Sequence, residues 1–123
     1  MSVMKRERRL LIIDDSDVFR HGLENILAGE GFSVETTPDG IVAQHMLNGN
    51  KYDIVLIDLM MPVMSGIDLY QCIEEGYPEV AARVVFMSTE VPDPATGNFF
   101  KKKARPFLLK PFTIDELLNA TGN

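Results

Sequence analysis

Five polar residues, Asp14, Asp15, Asp58, Ser88 and Lys110, lie at or just past the ends of short apolar segments. These apolar segments have the composition of strands that are buried on both faces of a parallel sheet. In an open parallel sheet, ligands and chemistry gather beyond the carboxyl ends of the strands. The sequence therefore predicts that three carboxylates, one hydroxyl and one ammonium group share a single crevice.

The predicted crevice has the chemistry of a metal-assisted phosphate site. Three neighbouring carboxylates repel each other strongly where the dielectric constant is low, so they need a cation. A ligand set made only of oxygen favours Mg²⁺, with Mn²⁺ as the alternative. A lysine opposite a metal-held carboxylate indicates an anion between them, and a phosphoryl group fits best. Ser88 can donate a hydrogen bond to one of its oxygens. Each residue alone has an ordinary structural explanation, so it is their combination that favours this function.

The segments that must position these residues alternate between strands and helices. Apolar runs predict five strands, at residues 10–13, 32–36, 53–57, 84–87 and 107–109. Apolar residues at helical spacing predict a helix after each strand, with Ser16 capping the first and Thr113 capping the last. The fourth helix falls within residues 90–103, which contain two prolines and a glycine, and should be the least stable. Five strand–helix units predict a doubly wound α/β fold with a parallel sheet.

Length and composition restrict the classes of function. A chain of 123 residues with 46% hydrophobic and 24% charged residues has the size and composition of one globular domain. The single cysteine, Cys72, excludes an internal disulfide and multi-cysteine metal sites, and favours the reducing cytoplasm. A net charge of −6 argues against direct binding to nucleic acid. No apolar run approaches the ~20 residues that span a bilayer, so no membrane partner is expected. We take residues 1–8 as an N-terminal tail and 9–121 as the domain.

The motifs of this chain resemble those of the receiver domain of bacterial two-component response regulators. The matching segments are Asp14–Asp15, the run DLMMPVMSG from Asp58 to Gly66, Ser88–Thr89, and Lys110–Pro111–Phe112. Counted from Asp15, successive intervals of 43, 30 and 22 residues lead to the next motif residues, as this fold requires. The resemblance covers essentially the whole chain. It implies a flavodoxin-like receiver fold, with five strands in the order 2-1-3-4-5 and five helices.

The resemblance also implies the phosphoacceptor and the metal ligands. Asp58 would take a phosphoryl group from a phosphohistidine on a partner, which is a sensor histidine kinase or a histidine phosphotransfer protein of a phosphorelay. Asp15, Asp58 and the main-chain carbonyl of Met60 would hold Mg²⁺ directly. Asp14 would act on the metal through water.

Phosphate-binding and switch residues follow from the same resemblance. Lys110 would pair with one phosphoryl oxygen, and Ser88 would bind another. Main-chain N–H groups of Met60 and Thr89 would complete the phosphate site. Phe107 occupies the aromatic switch position, which changes rotamer when the Ser88 hydroxyl moves toward the phosphate. The alternative interpretation of Phe107 is that it only packs in the core.

The implied output is a changed surface rather than catalysis, so the chain is expected to be a switch and not a free-standing enzyme. This surface comprises residues 99–105, the last strand and the last helix, which the family counts as helix 4, strand 5 and helix 5. A downstream protein, an attached domain or a second copy in a phosphorylation-dependent homodimer would bind it. The basic segment 101–105 replaces the usual Gly-Ala pair, and resembles receivers attached to hybrid histidine kinases.

Two other functions belong to different classes. A phosphatase of the haloacid-dehalogenase type needs a second acid two residues after its nucleophile, where this chain has Met60. Turnover of many equivalents of a phosphate ester would favour it. A flavodoxin-like FMN carrier needs a first loop that binds phosphate, whereas residues 14–17 contain three aspartates. A yellow purified protein would favour that alternative.

Overall fold

The computed structural model describes residues 8–121, which form five strands and six helices. The strands are β1 (Arg8–Ile13), β2 (Phe32–Thr37), β3 (Ile54–Asp58), β4 (Val84–Ser88) and β5 (Phe107–Leu109). The helices are α1 (Asp17–Gly29), α2 (Gly40–Leu47), α3 (Gly66–Gly76), α4 (Pro78–Ala81), α5 (Pro94–Lys103) and α6 (Ile114–Ala120). All neighbouring strands are parallel, and their order is β2-β1-β3-β4-β5. The predicted doubly wound, flavodoxin-like sheet is therefore confirmed.

The core has two layers because successive residues of a strand point to opposite faces of the sheet. Leu11 and Val55 pack on the face that α2, α3, α4 and α5 cover. Leu10 and Ile54 pack on the other face, which α1 and α6 cover. These four side chains are at most 1% exposed, and full burial of such a side chain is worth about 1.5–3 kcal/mol. The two layers hold the carboxyl ends of the strands in fixed positions.

Strand β1 begins inside the segment that the sequence analysis assigns to the tail, residues 1–8. Arg8 pairs in register with Phe32 of β2, and its guanidinium lies 5.6 Å from the centre of the Phe32 ring. Pairing with a neighbouring strand thus extends β1 beyond the apolar run that the sequence analysis recognises. The rest of the predicted tail, residues 1–7, lies outside the described residues.

The structure has one helix more than the five predicted. Pro78 occupies the first position of α4, where its missing N–H has no helical partner to lose. Arg105 donates a hydrogen bond to the carbonyl of Ala82 at the other end of this helix (2.5 Å). Four residues are too few to produce a helical period in the sequence. Across residues 8–121, none of the helices is long and apolar enough to cross a membrane.

Helix α5 corresponds to the predicted fourth helix and forms despite its weak helix formers. Asp93 caps it by accepting a hydrogen bond from the Thr96 N–H (2.8 Å), and Pro94 follows at the first helical position. After its last residue, Ala104 has left-handed backbone angles, with φ of 55°. Phe100 is the buried residue of this helix. A helix anchored at one buried side chain agrees with the low stability that the sequence predicts, which stays a prediction.

Candidate functional site

The polar residues of the site lie where the chain leaves the carboxyl edge of the sheet. Asp58 is the last residue of β3, and Ser88 is the last residue of β4. Beyond β1, the Asp14 N–H donates a hydrogen bond to the carbonyl of Thr37 (3.2 Å). Beyond β5, the Lys110 N–H donates to the carbonyl of Ser88 (2.8 Å). Main-chain hydrogen bonds thus fix the backbone of the site before any side chain contributes.

The structure brings the three predicted carboxylates together. Asp14, Asp15 and Asp58 each offer an oxygen, and these oxygens lie within 4.8 Å of one another. Asp14 and Asp58 are buried, whereas Asp15 is exposed. Carboxylates converging from two strand ends are the donor set that a hard divalent cation such as Mg²⁺ prefers. The residues present therefore fit the metal that the sequence predicts.

The two adjacent aspartates have different surroundings. The Asp14 carboxylate accepts a hydrogen bond from the Ser16 N–H at Oδ1 (2.8 Å) and from the Lys110 ammonium at Oδ2. Asp14 is 0% exposed, so both of its oxygens face protein donors. The exposed Asp15 is open to solvent. Asp15 is consequently the member of the pair whose carboxylate a hydrated cation can reach directly.

Asp58 lies close to charges of both signs. Its Oδ1 atom is 3.7 Å from Nζ of Lys110 and accepts a hydrogen bond from the Met60 N–H (3.3 Å). Burial raises the pKa of Asp58 from 3.8 to about 6, and the negative charges of Asp14 and Asp15 act in the same direction. The Lys110 ammonium and the Met60 N–H lower this pKa but do not offset the burial. The site therefore carries negative charge that one lysine does not balance.

The Lys110 ammonium is enclosed by the site. Its side chain is 8% exposed and contacts the carboxylates of Asp14 and Asp58. Nζ also lies 4.2 Å from the centre of the Phe19 ring, which is a cation–π distance. The Phe19 ring contacts Phe112 edge to face, with 6.1 Å between the ring centres. Sequence reasoning assigns Phe19 only to an apolar helix face, although its place one turn past the acidic pair is a usable signal.

Ser88 and Thr89 lie beside the cluster at the end of β4. Ser88 is 2% exposed, and its Oγ atom accepts a hydrogen bond from the Glu90 N–H (3.1 Å). Thr89 is exposed, as is Met60 in the facing loop, which is 63% exposed. The loop after β4 thus holds the Ser88 hydroxyl at the rim of the cluster.

The predicted switch residue, Phe107, is half-buried and belongs to a stack of aromatic rings. Its ring is stacked on Phe100 of α5, with 5.6 Å between centres and 13° between planes. Phe100 is in turn stacked on Phe86 of β4, at 4.8 Å between centres. The ring of Phe107 therefore connects β5 to α5 directly, and to β4 through Phe100.

Gly66 has a role that sequence reasoning does not find, since there it is only the last residue of the run that matches the family. A Cβ atom on Gly66 would lie 2.4 Å from the carbonyl oxygen of Asp58 and 2.9 Å from Cα of Leu59. Real Cβ atoms essentially never show contacts under 3.0 Å. The N–H of Gly66 also donates a hydrogen bond to the carbonyl of Leu59 (3.1 Å). Glycine is thus required here because the start of α3 packs directly on the backbone that carries Asp58.

Comparison with known proteins identifies this constellation. Residues 10–121 match the response regulator receiver domain. The chain belongs to this family. The response regulator MprA of Mycobacterium sp. (strain KMS) is 30% identical over 110 residues, which are 89% of this chain and 47% of that protein. The receiver domain thus spans about half the length of the curated relatives it matches.

Solved structures agree with the family. The chemotaxis protein CheY4 of Vibrio cholerae is 26% identical, with a TM-score of 0.81 over 93% of this chain and 95% of that chain. The response regulator TrrA of Thermotoga maritima, solved in complex with Mg²⁺ and BeF, shares the fold at 24% identity and a TM-score of 0.77, over 91% and 94% of the two chains. Receiver domains bind Mg²⁺ at the aspartate cluster, and they accept phosphoryl groups in two-component signal transduction. Their partners are kinases or phosphotransfer proteins.

Proposed function

We propose that Asp58 is the residue of this receiver domain that becomes phosphorylated. The observation that carries this assignment is its position inside the cluster, with Lys110 3.7 Å away and two further carboxylates around it. Asp58 is also the residue whose loop Gly66 supports. Asp14 is a poorer acceptor, because Ser16 and Lys110 already bind its carboxylate oxygens.

The proposed reaction is a transfer between two side chains. A carboxylate oxygen of Asp58 attacks the phosphorus of a phosphohistidine on a histidine kinase or a histidine phosphotransfer protein. The new P–O bond forms as the P–N bond breaks, and the leaving imidazole nitrogen takes up a proton. Protein groups contribute positioning and charge compensation rather than covalent chemistry, as is general for phosphoryl transfer.

Asp15, Asp58 and the main-chain carbonyl of Met60 are the proposed direct ligands of Mg²⁺, and Asp14 acts through water. When bound, Mg²⁺ compensates the negative charge of the carboxylates and of the incoming phosphoryl oxygens. The exposure of Asp15 and the protein donors on both oxygens of the Asp14 carboxylate support this division. Asp15→Asn should consequently weaken Mg²⁺ binding far more than Asp14→Asn, in a calorimetric titration. Equal losses, or a larger loss in the Asp14 variant, would contradict the division.

Lys110, Ser88 and the main-chain N–H groups of Met60 and Thr89 are the proposed phosphate-binding groups. The Lys110 ammonium lies between Asp14 and Asp58, so it is near any phosphoryl group on Asp58. The Met60 N–H already donates to the Asp58 carboxylate. Ser88 Oγ accepts its hydrogen bond from the Glu90 N–H, so the hydroxyl hydrogen can be donated to a phosphoryl oxygen when Ser88 moves toward the phosphate.

Labelling with a small phosphodonor tests the phosphoacceptor. Wild-type protein incubated with acetyl phosphate and Mg²⁺ should gain the mass of one phosphoryl group, and should gain none in the presence of a chelator. Asp58→Asn should abolish this gain. Asp93→Asn, which changes an exposed acid at the start of α5, is the matched control and should be labelled like wild type. Full labelling of the Asp58 variant would refute the assignment.

The proposed output surface comprises α5 from Phe99 onward, β5 and α6. Movement of Ser88 toward the phosphate pulls the Thr89–Glu90 loop inward, and Phe107 turns into the space that this loop leaves. The loop continues directly into α5. Because α5 has a single buried residue, a rearrangement of this helix costs little free energy. Amide exchange with and without Mg²⁺ and a beryllofluoride phosphoryl mimic should change over residues 89–107. A response confined to the Asp58 loop would refute this output.

The domain acts as a switch in a phosphorelay, not as an enzyme that turns over a substrate. A downstream protein, an attached domain or a second copy of the chain would bind the output surface. The proposed place of action is the cytoplasm, where a kinase finds ATP and the single cysteine stays reduced. Attachment to a hybrid histidine kinase stays a prediction. Sequencing the gene on both sides of this sequence tests it, by showing whether a kinase domain is encoded in the same reading frame. Repeated hydrolysis of a phosphate ester would contradict the assignment as a switch.

A further inference from the structure

Arg20 is a buried charge beside the acidic cluster that the reaction described above does not use. It lies on α1 and is 6% exposed, which is unusual for an arginine. Nη1 donates a hydrogen bond to the main-chain carbonyl of Asp14 (2.8 Å), and Nη2 donates to Oδ1 of Asp17 (2.5 Å). Its Nε atom is buried and has no hydrogen-bond partner among residues 8–121. The guanidinium thus binds the first and last residues of one short turn, Asp14 and Asp17, while its Nε–H donor is left without an acceptor in the described part of the chain.

The turn that Arg20 binds contains Asp15. Residues 14–17 carry three carboxylates, so their mutual repulsion favours an opened turn. Arg20 binds the turn on both sides of Asp15 in the sequence, through the Asp14 carbonyl before it and through the Asp17 carboxylate after it. The Ser16 N–H closes the same turn by donating to the Asp14 carboxylate (2.8 Å). Asp15 is the one carboxylate of this turn that neither Arg20 nor Ser16 contacts.

We propose that Arg20 is a positioning residue that holds the turn 14–17 so that the Asp15 carboxylate faces the metal. The inference rests on the proposed function, in which Asp15 is a direct ligand of Mg²⁺. Arginine suits this task better than lysine because its planar fork can bind two acceptors in fixed geometry. The direction in which Mg²⁺ affinity changes when Arg20 is removed distinguishes positioning from a simple charge effect. Removing a positive charge near three carboxylates would by itself tighten Mg²⁺ binding, whereas loss of positioning weakens it.

Mg²⁺ titration of Arg20→Met by calorimetry tests this proposal. We expect the dissociation constant for Mg²⁺ to rise about tenfold or more, as is usual when a group that orients a metal ligand is lost. Unfolding by urea without Mg²⁺ is measured on the same samples, because a merely structural role lowers stability without changing the dissociation constant. Unchanged or tighter Mg²⁺ binding would overturn the proposal.

Arg20→Lys keeps the charge and decides the case if the methionine variant does not fold. A lysine ammonium cannot bind the Asp14 carbonyl and the Asp17 carboxylate in the same fixed geometry, so Mg²⁺ affinity should lie between those of wild type and Arg20→Met. Wild-type affinity in this variant would refute the need for the fork. Arg83→Met is the matched control. It removes another arginine that donates to a main-chain carbonyl, that of Tyr52 (3.0 Å), at the opposite edge of the sheet, and should leave Mg²⁺ affinity unchanged.

Asp15→Asn separates this proposal from the one on which it rests. If this variant binds Mg²⁺ as tightly as wild type, Asp15 is not a ligand and the proposed metal site is wrong. If Asp15→Asn binds weakly while both Arg20 variants bind like wild type, the metal site stands and the role of Arg20 is refuted.

Discussion

Replacing Asp58 by asparagine should stabilise the Mg²⁺-free domain at neutral and alkaline pH. Burial and the neighbouring aspartates raise the pKa of Asp58 from 3.8 to about 6, so folding disfavours its charged form. The stability that comes from the protonated carboxyl is fully present below pH 3.8 and is lost as the pH rises through about 6. Asparagine has nearly the same shape and is neutral at every pH, so it avoids this loss.

The size of the effect follows from the two pKa values. Each pKa unit corresponds to about 1.4 kcal/mol, so the ionised Asp58 lowers the free energy of unfolding by about 3 kcal/mol at pH 8. The attraction of Lys110, 3.7 Å away, is already included because it lowers the same pKa. We expect the free energy of unfolding of Asp58→Asn at pH 8 to exceed that of wild type by about 2–3 kcal/mol. For a domain of this length, that difference raises the melting temperature by roughly 10 °C.

Urea unfolding followed by circular dichroism, with a chelator and at pH values from 4 to 8, measures this difference. The gap between the variant and wild type should be largest at pH 8, shrink through pH 6 and nearly vanish at pH 4. Asp93→Asn is an opposite-sign control. Hydrogen bonds from Thr96 lower the pKa of Asp93, so its charged form stabilises the fold and this contribution fades as the pH falls. An Asp58 variant that is no more stable than wild type at pH 8, or equally stabilised at pH 4, would refute the reasoning.

Two further predictions concern backbone positions that require or favour glycine, Gly66 and Ala104. Gly66→Ala should destabilise the domain by about 1–3 kcal/mol and reduce labelling of Asp58 by acetyl phosphate, because the added Cβ displaces the backbone that carries the acceptor. Gly22→Ala, which meets open space within α1, is its control and should stabilise by about 0.5–1 kcal/mol. Ala104→Gly should raise the free energy of unfolding by about 0.5–1 kcal/mol, because glycine adopts the left-handed angles at the end of α5 without strain. Chemical denaturation measures all three, and a less stable glycine variant at 104 would contradict the last.

The location of the site could be predicted from sequence because it depends on a local signal and one topological rule. Asp58, Ser88 and Lys110 each adjoin an apolar run that is too short for a helix, and the carboxyl ends of parallel strands share one edge. An error of one or two residues in a strand boundary does not change that edge. Strand β3 runs from Ile54 to Asp58 rather than over 53–57, and Asp58 remains at its end.

Other features could not be predicted because they depend on contacts between distant parts of the chain. The different surroundings of Asp14 and Asp15 depend in part on Lys110, which lies 96 residues beyond Asp14 in the sequence. The start of β1 at Arg8 depends on its pairing with Phe32. Neither contact leaves a trace in local periodicity or composition.

The aromatic stack connects the switch residue with the helix that the sequence marks as weak. Phe100 is the buried residue of α5, and its ring is stacked on both Phe86 of β4 and Phe107 of β5. Phe107 therefore cannot turn inward without loss of its stacking on Phe100, and this loss falls on the residue that anchors α5 to the core. A helix with several buried side chains would absorb such a change, but α5 has one. Phe99 of α5 also contacts the rings of Tyr70 and Phe86. Phe100, however, is the ring of this helix that is stacked on Phe107. Low helix propensity and the stacking of Phe107 on the buried Phe100 together couple the rotamer of Phe107 to the position of α5.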